Sequence, residues 1–409
     1  MKAGDSIVVF GTAYKGHTNR LLPIISMLVR AGIHVHVFSE PNAREDIEEA
    51  GGSYINLLKG RSFEESDPSS TPTPCRYVSF AGYYADQIIS EAAALKPSLI
   101  LHDAWAMVAQ VVAKQLRVPR VNLCAGHDYP PEKALDDLRG SPRVSISDKC
   151  RRAVEVLRNK YGMMDASPFS FITGSMSGDL NLYFEPPQYL PEDRRTPFQP
   201  IAFIGSLSDR TINRYPRPQS SYNVNSEVRQ RIYVSFGTIV WGHSEWEVTV
   251  REVLKAIHGA VQNSPECTVL LSMGGTTISD WVRQLEMPNF RVESYVDQWN
   301  VLAESTVFIT HHGLNSTHEA VFQKVPMISY PFFHDQPALA KRTQDLGIAV
   351  PLSTELRGIV SVEDVRSALL KVDEGRNIMM KRLSEARQWE LDVIAGRGDV
   401  TRRIMDLAP

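Results

Sequence analysis

Short apolar runs alternate with helix-periodic stretches from the start of this chain, and no other feature restricts its possible folds so much. "SIVVF" (6–10) reads as a buried strand, after which Leu21, Leu22, Ile25, Leu28 and Val29 recur at helical spacing until Gly32. The cycle continues through "HVHVF", a helix opened by "PNARED" and closed by Gly51 and Gly52, "SYINL", a helix at 83–95, "SLILHD", a helix at 104–116 and "VPRVNLC". A second series runs "RIYVSFGT", a helix at 244–262, "CTVLLSMGG", "FRVESYV", "STVFITHHG", a helix from 314 and "VPMISYPFFHDQ". Uninterrupted apolar strands separated by helices predict parallel, doubly wound α/β sheets, one in each half.

The chain is 409 residues long, enough for about two domains of ordinary size. The expected division is an N-terminal domain at 1–206, a polar linker at 207–228, a C-terminal domain at 229–390 and a last helix at 391–409 packing back on the first domain. The Ser-, Thr- and Pro-rich segment 59–76 reads as a long loop, either functional or mobile. Residues 127–170 read as an excursion over the same sheet edge or as a decorative insertion. Lys plus Arg number 44 and Asp plus Glu 47, a net charge of −3, so no field favours nucleic acid or an anionic membrane. The four cysteines lack CxxC spacing and no apolar stretch is long enough to span a bilayer, so a cytoplasmic protein without integral membrane association is expected.

In open parallel sheets, ligands bind beyond the carboxyl ends of the strands, where helix N-termini aim their N–H groups. His17 follows the first strand, Asp103 ends "SLILHD", Thr238 follows "IYVSF", His311 and His312 follow "STVFIT", and Asp335 with Gln336 follows "PMISYPFF". The reactive residues therefore gather on binding edges, which points to one cleft between two facing domains. "GTAYKGHT" (11–18) has the glycine spacing of a phosphate loop but places His17 where such a loop needs lysine, and neither first-strand turn has the GxGxxG of a dinucleotide site. "THHGLNSTHEA" (310–320) sets His311, Gly313, Asn315, Ser316 and Glu319 at the entry to a helix, whose positive end suits a diphosphate. Ordinary N-capping by Asn315 and Ser316 is the competing reading.

On these residues the chain resembles the family 1 nucleotide-sugar-dependent glycosyltransferases, of the bacterial natural-product and macrolide type. Their GT-B fold consists of two facing Rossmann-like, doubly wound domains with an interdomain cleft. The resemblance is most specific over "VDQWNVLAESTVFITHHGLNSTHEAVFQKVPMISYPFFHDQ" and extends to "FGTAYKGHTNRLLPI" and "SLILHDAW". It implies that His17 is a general base with Asp103 as its partner. It places Thr238, His311, Gly313, Asn315 and Ser316 on the diphosphate, Glu319 on the ribose, Gln298 and Tyr295 on the base, and Asp335 with Gln336 on the donor sugar. Three positions depart from the pattern: His312 replaces a glycine and is open to use on phosphate, Arg20 stands at a common proline, and Ser206 follows Gly205 where proline is common.

The implied reaction is a single in-line displacement, inverting and metal-independent, from a UDP-sugar (UDP favoured over dTDP) to a hydroxyl of a small specialised metabolite or antibiotic. The nucleotide sugar is a co-substrate, and no separate cofactor is expected. The runner-up is a catalytically silent GT-B protein that activates a partner enzyme; a nucleotide-sugar epimerase shares the fold.

Overall fold

The first apolar run becomes β1 (Ser6–Phe10), in which Ile7, Val8, Val9 and Phe10 are all buried, as a parallel strand covered by helices on both faces requires. In this computed structural model the described residues are 1–408 except 3, 13, 125, 140, 208–221 and 223–227. β1 lies within a seven-stranded parallel sheet with β2 (His34–Ser39), β3 (Ser53–Asn56), β4 (Leu99–Asp103), β5 (Arg120–Leu123), β6 (Leu180–Tyr183) and β7 (Ile201–Phe203). Its strand order is β3-β2-β1-β4-β5-β6-β7. The register pairs Ile7 with both Val35 and Leu99, so β1 is flanked on its two sides by β2 and β4.

The second sheet has six parallel strands in the order β10-β9-β8-β11-β12-β13. They are β8 (Gln230–Ser235), β9 (Cys267–Ser272), β10 (Phe290–Glu293), β11 (Val307–Thr310), β12 (Met327–Ser329) and β13 (Ala349–Pro351). β8 occupies the place that β1 has in the first sheet, between β9 and β11. Both halves are thus doubly wound, Rossmann-like α/β units. The chain divides into Met1–Ser208 with Val393–Pro409, and Asp209–Asp392. The expected linker at 207–228 falls almost entirely outside the described residues. The helix Arg397–Asp406 belongs to the first unit, where the buried Arg397 guanidinium donates to the carbonyls of Ile204 and Leu207.

Two segments differ from what the sequence suggests. The helix expected at 83–95 spans Cys75–Ala94, so its first turns come from the end of the supposed 59–76 loop. The rest of that loop is pinned rather than loose. Asp67, fully buried, accepts from the Ser79 hydroxyl (2.7 Å), the Ser147 hydroxyl (2.9 Å) and the Ser70 N–H (3.0 Å). Arg61 forks onto Glu91 through two 3.0 Å bonds. Nor is 127–170 decoration: the helix Asp148–Asn159 buries Cys150, Ala153, Val154 and Leu157 in the same core as Cys75–Ala94. The two helices approach so closely that a Cβ on Gly82 would lie 2.6 Å from that of Ala153. All four cysteines are free and buried. No helix of the described residues is long and apolar enough to cross a membrane.

Asp67 joins the two segments that sequence patterning describes least well. Burial opposes its charge, but the serine donors outweigh burial and hold its carboxyl below the ordinary range. Its contribution to stability is therefore present above the ordinary carboxylate pKa and lost as the pH falls through the lowered one. Asp67→Ala is expected to lower unfolding stability by about 3 kcal/mol at pH 7, the order expected for a buried charge-assisted network that loses its centre. Urea denaturation at pH 7 and in acid checks this, the difference from wild type shrinking at the lower pH.

Candidate functional site

Both sheets reverse strand order beside one strand, β1 in the first and β8 in the second, and there the connections diverge to opposite faces. Each reversal leaves a crevice at the carboxyl ends, and some of the residues singled out by sequence sit at them. In the first unit these are His17, in the opening turn of the helix Lys15–Arg30 after β1, and Asp103, the last residue of β4. His17 Nδ1 lies 2.7 Å from Asp103 Oδ2, while Asp103 Oδ1 accepts the Trp105 N–H at 3.0 Å. The pair is nearly enclosed, with side-chain exposures of 11% for His17 and 3% for Asp103. Burial works against the Asp103 charge, but His17, the Trp105 N–H and the nearby Arg20 guanidinium together hold its carboxyl below the usual range. Arg20, one of the departures from the family pattern, thus helps to keep the aspartate ionised.

Sequence reasoning missed the aromatic surroundings of this histidine. The Trp105 ring centroid is 4.4 Å from that of His17, and Tyr14 stands edge-on to Trp105 at 5.1 Å. The available signal was position: Trp105 follows Asp103 by two residues and Tyr14 precedes His17 by three.

In the second unit, β8 and β11 deliver Thr238, which is exposed, and His311, which is 8% exposed. The His311 ring lies between two glycines. A Cβ on Gly237 would come within 2.6 Å of its Nε2 and one on Gly313 within 2.4 Å, while the Gly237 φ of +75° itself favours glycine. Its Nδ1 is buried without a hydrogen-bond partner. Burial pushes the imidazole down to about 4, with the Ser235 backbone pulling weakly the other way, so the ring is neutral at pH 7. Gly313 is followed by the helix Leu314–Gln323, whose first turn contains Asn315 and Ser316 and carries the positive end of the helix dipole.

A further cluster adjoins the same helix. Gln298 Nε2 donates to Glu319 Oε2 (2.7 Å) and Ser316 Oγ (3.1 Å), and its Oε1 accepts from the Tyr233 hydroxyl (3.2 Å). Desolvation raises the Glu319 carboxyl to about 7 despite the Gln298 bond that favours its charge. After β12, Asp335 stands as N-cap of the helix Gln336–Asp345, and Gln336 Oε1 accepts from the Phe332 and Phe333 N–H groups, holding that turn. Trp246 stacks on Phe333 with ring centroids 4.8 Å apart and His243 stacks on Trp246 at 4.1 Å, so these aromatics build the wall of that loop.

One assigned residue is placed otherwise than the sequence suggests. His312 is fully buried with both ring nitrogens bonded within the protein, to Thr317 and Ser329, because the left-handed turn directs its side chain inward. It therefore offers no side-chain nitrogen to a phosphate. Tyr295 is 71% exposed beyond β10. Among the described residues, no group of three or more His, Cys, Asp or Glu side chains is arranged to hold a metal ion.

Two Rossmann-like sheets with these crevices are the GT-B arrangement of glycosyltransferases. The solved glycotransferase of kitacinnamycin superposes with a TM-score of 0.78 at 20% identity, covering 99% of each chain. CalG4, the calicheamicin glycosyltransferase, superposes with a TM-score of 0.71 at 20% identity, again over 99% of each. Residues 187–388 match the family described as UDP-glucoronosyl and UDP-glucosyl transferase. NDP-glycosyltransferase YjiC of Bacillus subtilis is 23% identical over 92% of this chain and 90% of its own length. Oleandomycin glycosyltransferase of Streptomyces antibioticus is 26% identical over 85% of this chain and 79% of its own. By these likenesses the chain is a glycosyltransferase similar to family 1 of the nucleotide-sugar glycosyltransferases.

The raised Glu319 carboxyl has a measurable consequence. A carboxylate whose folded pKa lies above its unfolded value stabilises the fold below the unfolded pKa and loses that contribution as pH rises through the folded one. Glu319→Gln is therefore expected to raise the unfolding midpoint of the unliganded protein at pH 8 by a few degrees, since about 1 kcal/mol moves a 150–250-residue domain by roughly 2–4 °C. At pH 4.5 the variant and wild type should unfold together in the same thermal scan.

Proposed function

We propose that this protein transfers a sugar, with inversion, from a UDP-sugar or a dTDP-sugar to a hydroxyl of a small specialised metabolite. The observation that carries the reading is the 2.7 Å His17–Asp103 pair at the first switch point. With Nδ1 held by a carboxylate, the proton of the neutral ring is fixed on Nδ1, and Nε2 is left basic. Nε2 takes the acceptor proton as the oxygen attacks the anomeric carbon, and Asp103 stabilises the imidazolium that forms. Inversion follows from that single displacement.

As the bond from the anomeric carbon to the β-phosphate oxygen breaks, the departing nucleoside diphosphate takes the electron pair and gathers negative charge on that oxygen, and the second switch point supplies what meets it. The N–H groups opening the helix Leu314–Gln323, with Thr238, Asn315 and Ser316, lie where the helix dipole is positive. A phosphate oxygen completes the buried Nδ1 of His311. This is a metal-independent way of stabilising the leaving group. Glu319 accepts from the ribose hydroxyls, which favours UDP over dTDP; Gln298 and Tyr295 face the base, and Asp335 with Gln336 take the sugar hydroxyls. Names of relatives and neighbours, such as oleandomycin and calicheamicin glycosyltransferases, support a natural-product acceptor.

The two roles separate under mutation. His17→Ala is expected to cut kcat by about 10²–10⁴-fold, the range of a lost general base, while leaving nucleotide binding intact. His311→Ala is expected to abolish the rise in unfolding midpoint produced by UDP or dTDP, a rise worth about 2.7 kcal/mol at a hundredfold excess over Kd. Thermal unfolding with UDP, dTDP, GDP and ADP, followed by sugar-transfer assays on a panel of phenolic and macrocyclic alcohols, checks both. Stabilisation by none of the four nucleotides overturns the reading.

A further inference from the structure

His312 departs from the family pattern inside the donor-binding sequence, and it sits at a φ of +58°, a left-handed conformation that glycine adopts freely and a side chain does not. Its surroundings account for its retention there. Nδ1 lies 3.2 Å from Thr317 Oγ1 and Nε2 lies 2.8 Å from Ser329 Oγ, while the His312 backbone N–H donates to Thr310 Oγ1 at 3.2 Å. Thr310, His312, Thr317 and Ser329 are all buried. One imidazole thus joins the end of β11, the first turn of the helix Leu314–Gln323 and the end of β12.

The hydrogens can be placed by counting donors. The Thr317 hydroxyl donates to the Gly313 carbonyl at 3.1 Å, so its oxygen offers the ring only a lone pair. Nδ1 therefore carries the ring hydrogen, and Nε2 accepts from the Ser329 hydroxyl. A glycine at this position would relax the backbone but leave both buried hydroxyls without the imidazole. Beyond Ser329 the chain is tied down at each step: the Tyr330 hydroxyl donates to the Gly358 carbonyl, and the Phe332 and Phe333 N–H groups donate to Gln336 Oε1. That braced segment ends at Asp335.

We propose that His312 is a positioning residue that couples the turn holding the donor's diphosphate to the loop holding the donor's sugar. It touches neither part of the donor; it acts through Thr317 on one and through Ser329 on the other. In this chain the sugar loop is therefore registered against the phosphate turn by a side chain, at a place where a glycine in the family pattern provides none. The inference rests on the nucleotide-sugar reading above.

The test compares a nucleoside diphosphate with its sugar nucleotide by titration calorimetry, using UDP with UDP-glucose and dTDP with dTDP-glucose. His312→Gly sets the relieved left-handed strain against the loss of the buried ring, and Ser329→Ala, which removes only the β12 end of the link, keeps the test independent of that balance. Both variants are expected to bind the nucleoside diphosphate within about threefold of wild type and the sugar nucleotide at least about tenfold more weakly, the scale of a lost buried hydrogen-bond link. Parallel weakening of both ligands, or no change in either, overturns the coupling. If wild type binds neither pair, the nucleotide-sugar reading falls and the coupling falls with it; if wild type binds and the variants match it, only the coupling falls.

Discussion

The placement of the His17–Asp103 pair and of His311 depends on the reversal of strand order beside β1 and beside β8. In a parallel sheet every crossover returns the chain to the same edge, so all carboxyl ends lie together. Where successive crossovers cover opposite faces, the loops part and the strand ends stay open. The first unit places a histidine and an aspartate at that opening, and the second places a histidine and a helix N-terminus there. Each arrangement is complete within its own sheet.

The two openings handle burial in opposite ways. In the first, the buried charge of Asp103 is paired and hydrogen-bonded, and it stays ionised despite desolvation. In the second, desolvation wins: His311 is neutral with an unpartnered Nδ1, and the Glu319 carboxyl is raised to about 7. Buried polar groups are ordinarily satisfied within the protein, and one left over in a crevice is a group that a ligand can complete. The glycines at 237 and 313 belong to the same design, since a methyl group on either would collide with the His311 ring.

Pairing a histidine with a carboxylate does not by itself make a base. His127 Nδ1 lies 2.7 Å from Glu185 Oε2, matching the distance in the His17–Asp103 pair, and His318 is bonded to Glu390. The side chains of these other pairs are at most 3% exposed, whereas 11% of His17 is exposed. The first joins the segments following β5 and β6, and the second joins the helix Leu314–Gln323 to the long helix Val362–Ala395. The side-chain exposure that remains to His17 is what distinguishes it from these buried pairs, and the proposed role as a base rests on it.

The sheets, the order of elements and the strand-end positions of His17, Asp103, Thr238, His311, Asp335 and Gln336 were legible in the sequence, because strand hydrophobicity and helix periodicity are local properties. So was the helix entry at 313–316, which glycine and small polar residues announce. The segments 59–76 and 127–170 were not legible, because the bonds that order them join Asp67 to Ser79 and Ser147, partners with no periodic signature. The direction of His312 was equally hidden: only a positive φ, set by the turn between β11 and the following helix, sends its ring toward Ser329 rather than outward. Sequence by itself determined which residues stand at the open edge of each sheet, since hydrophobic pattern sets where a strand stops. Tertiary structure alone decided which of them meet a partner, which are left unsatisfied and what burial does to their protons, because those outcomes depend on contacts between residues far apart in the chain.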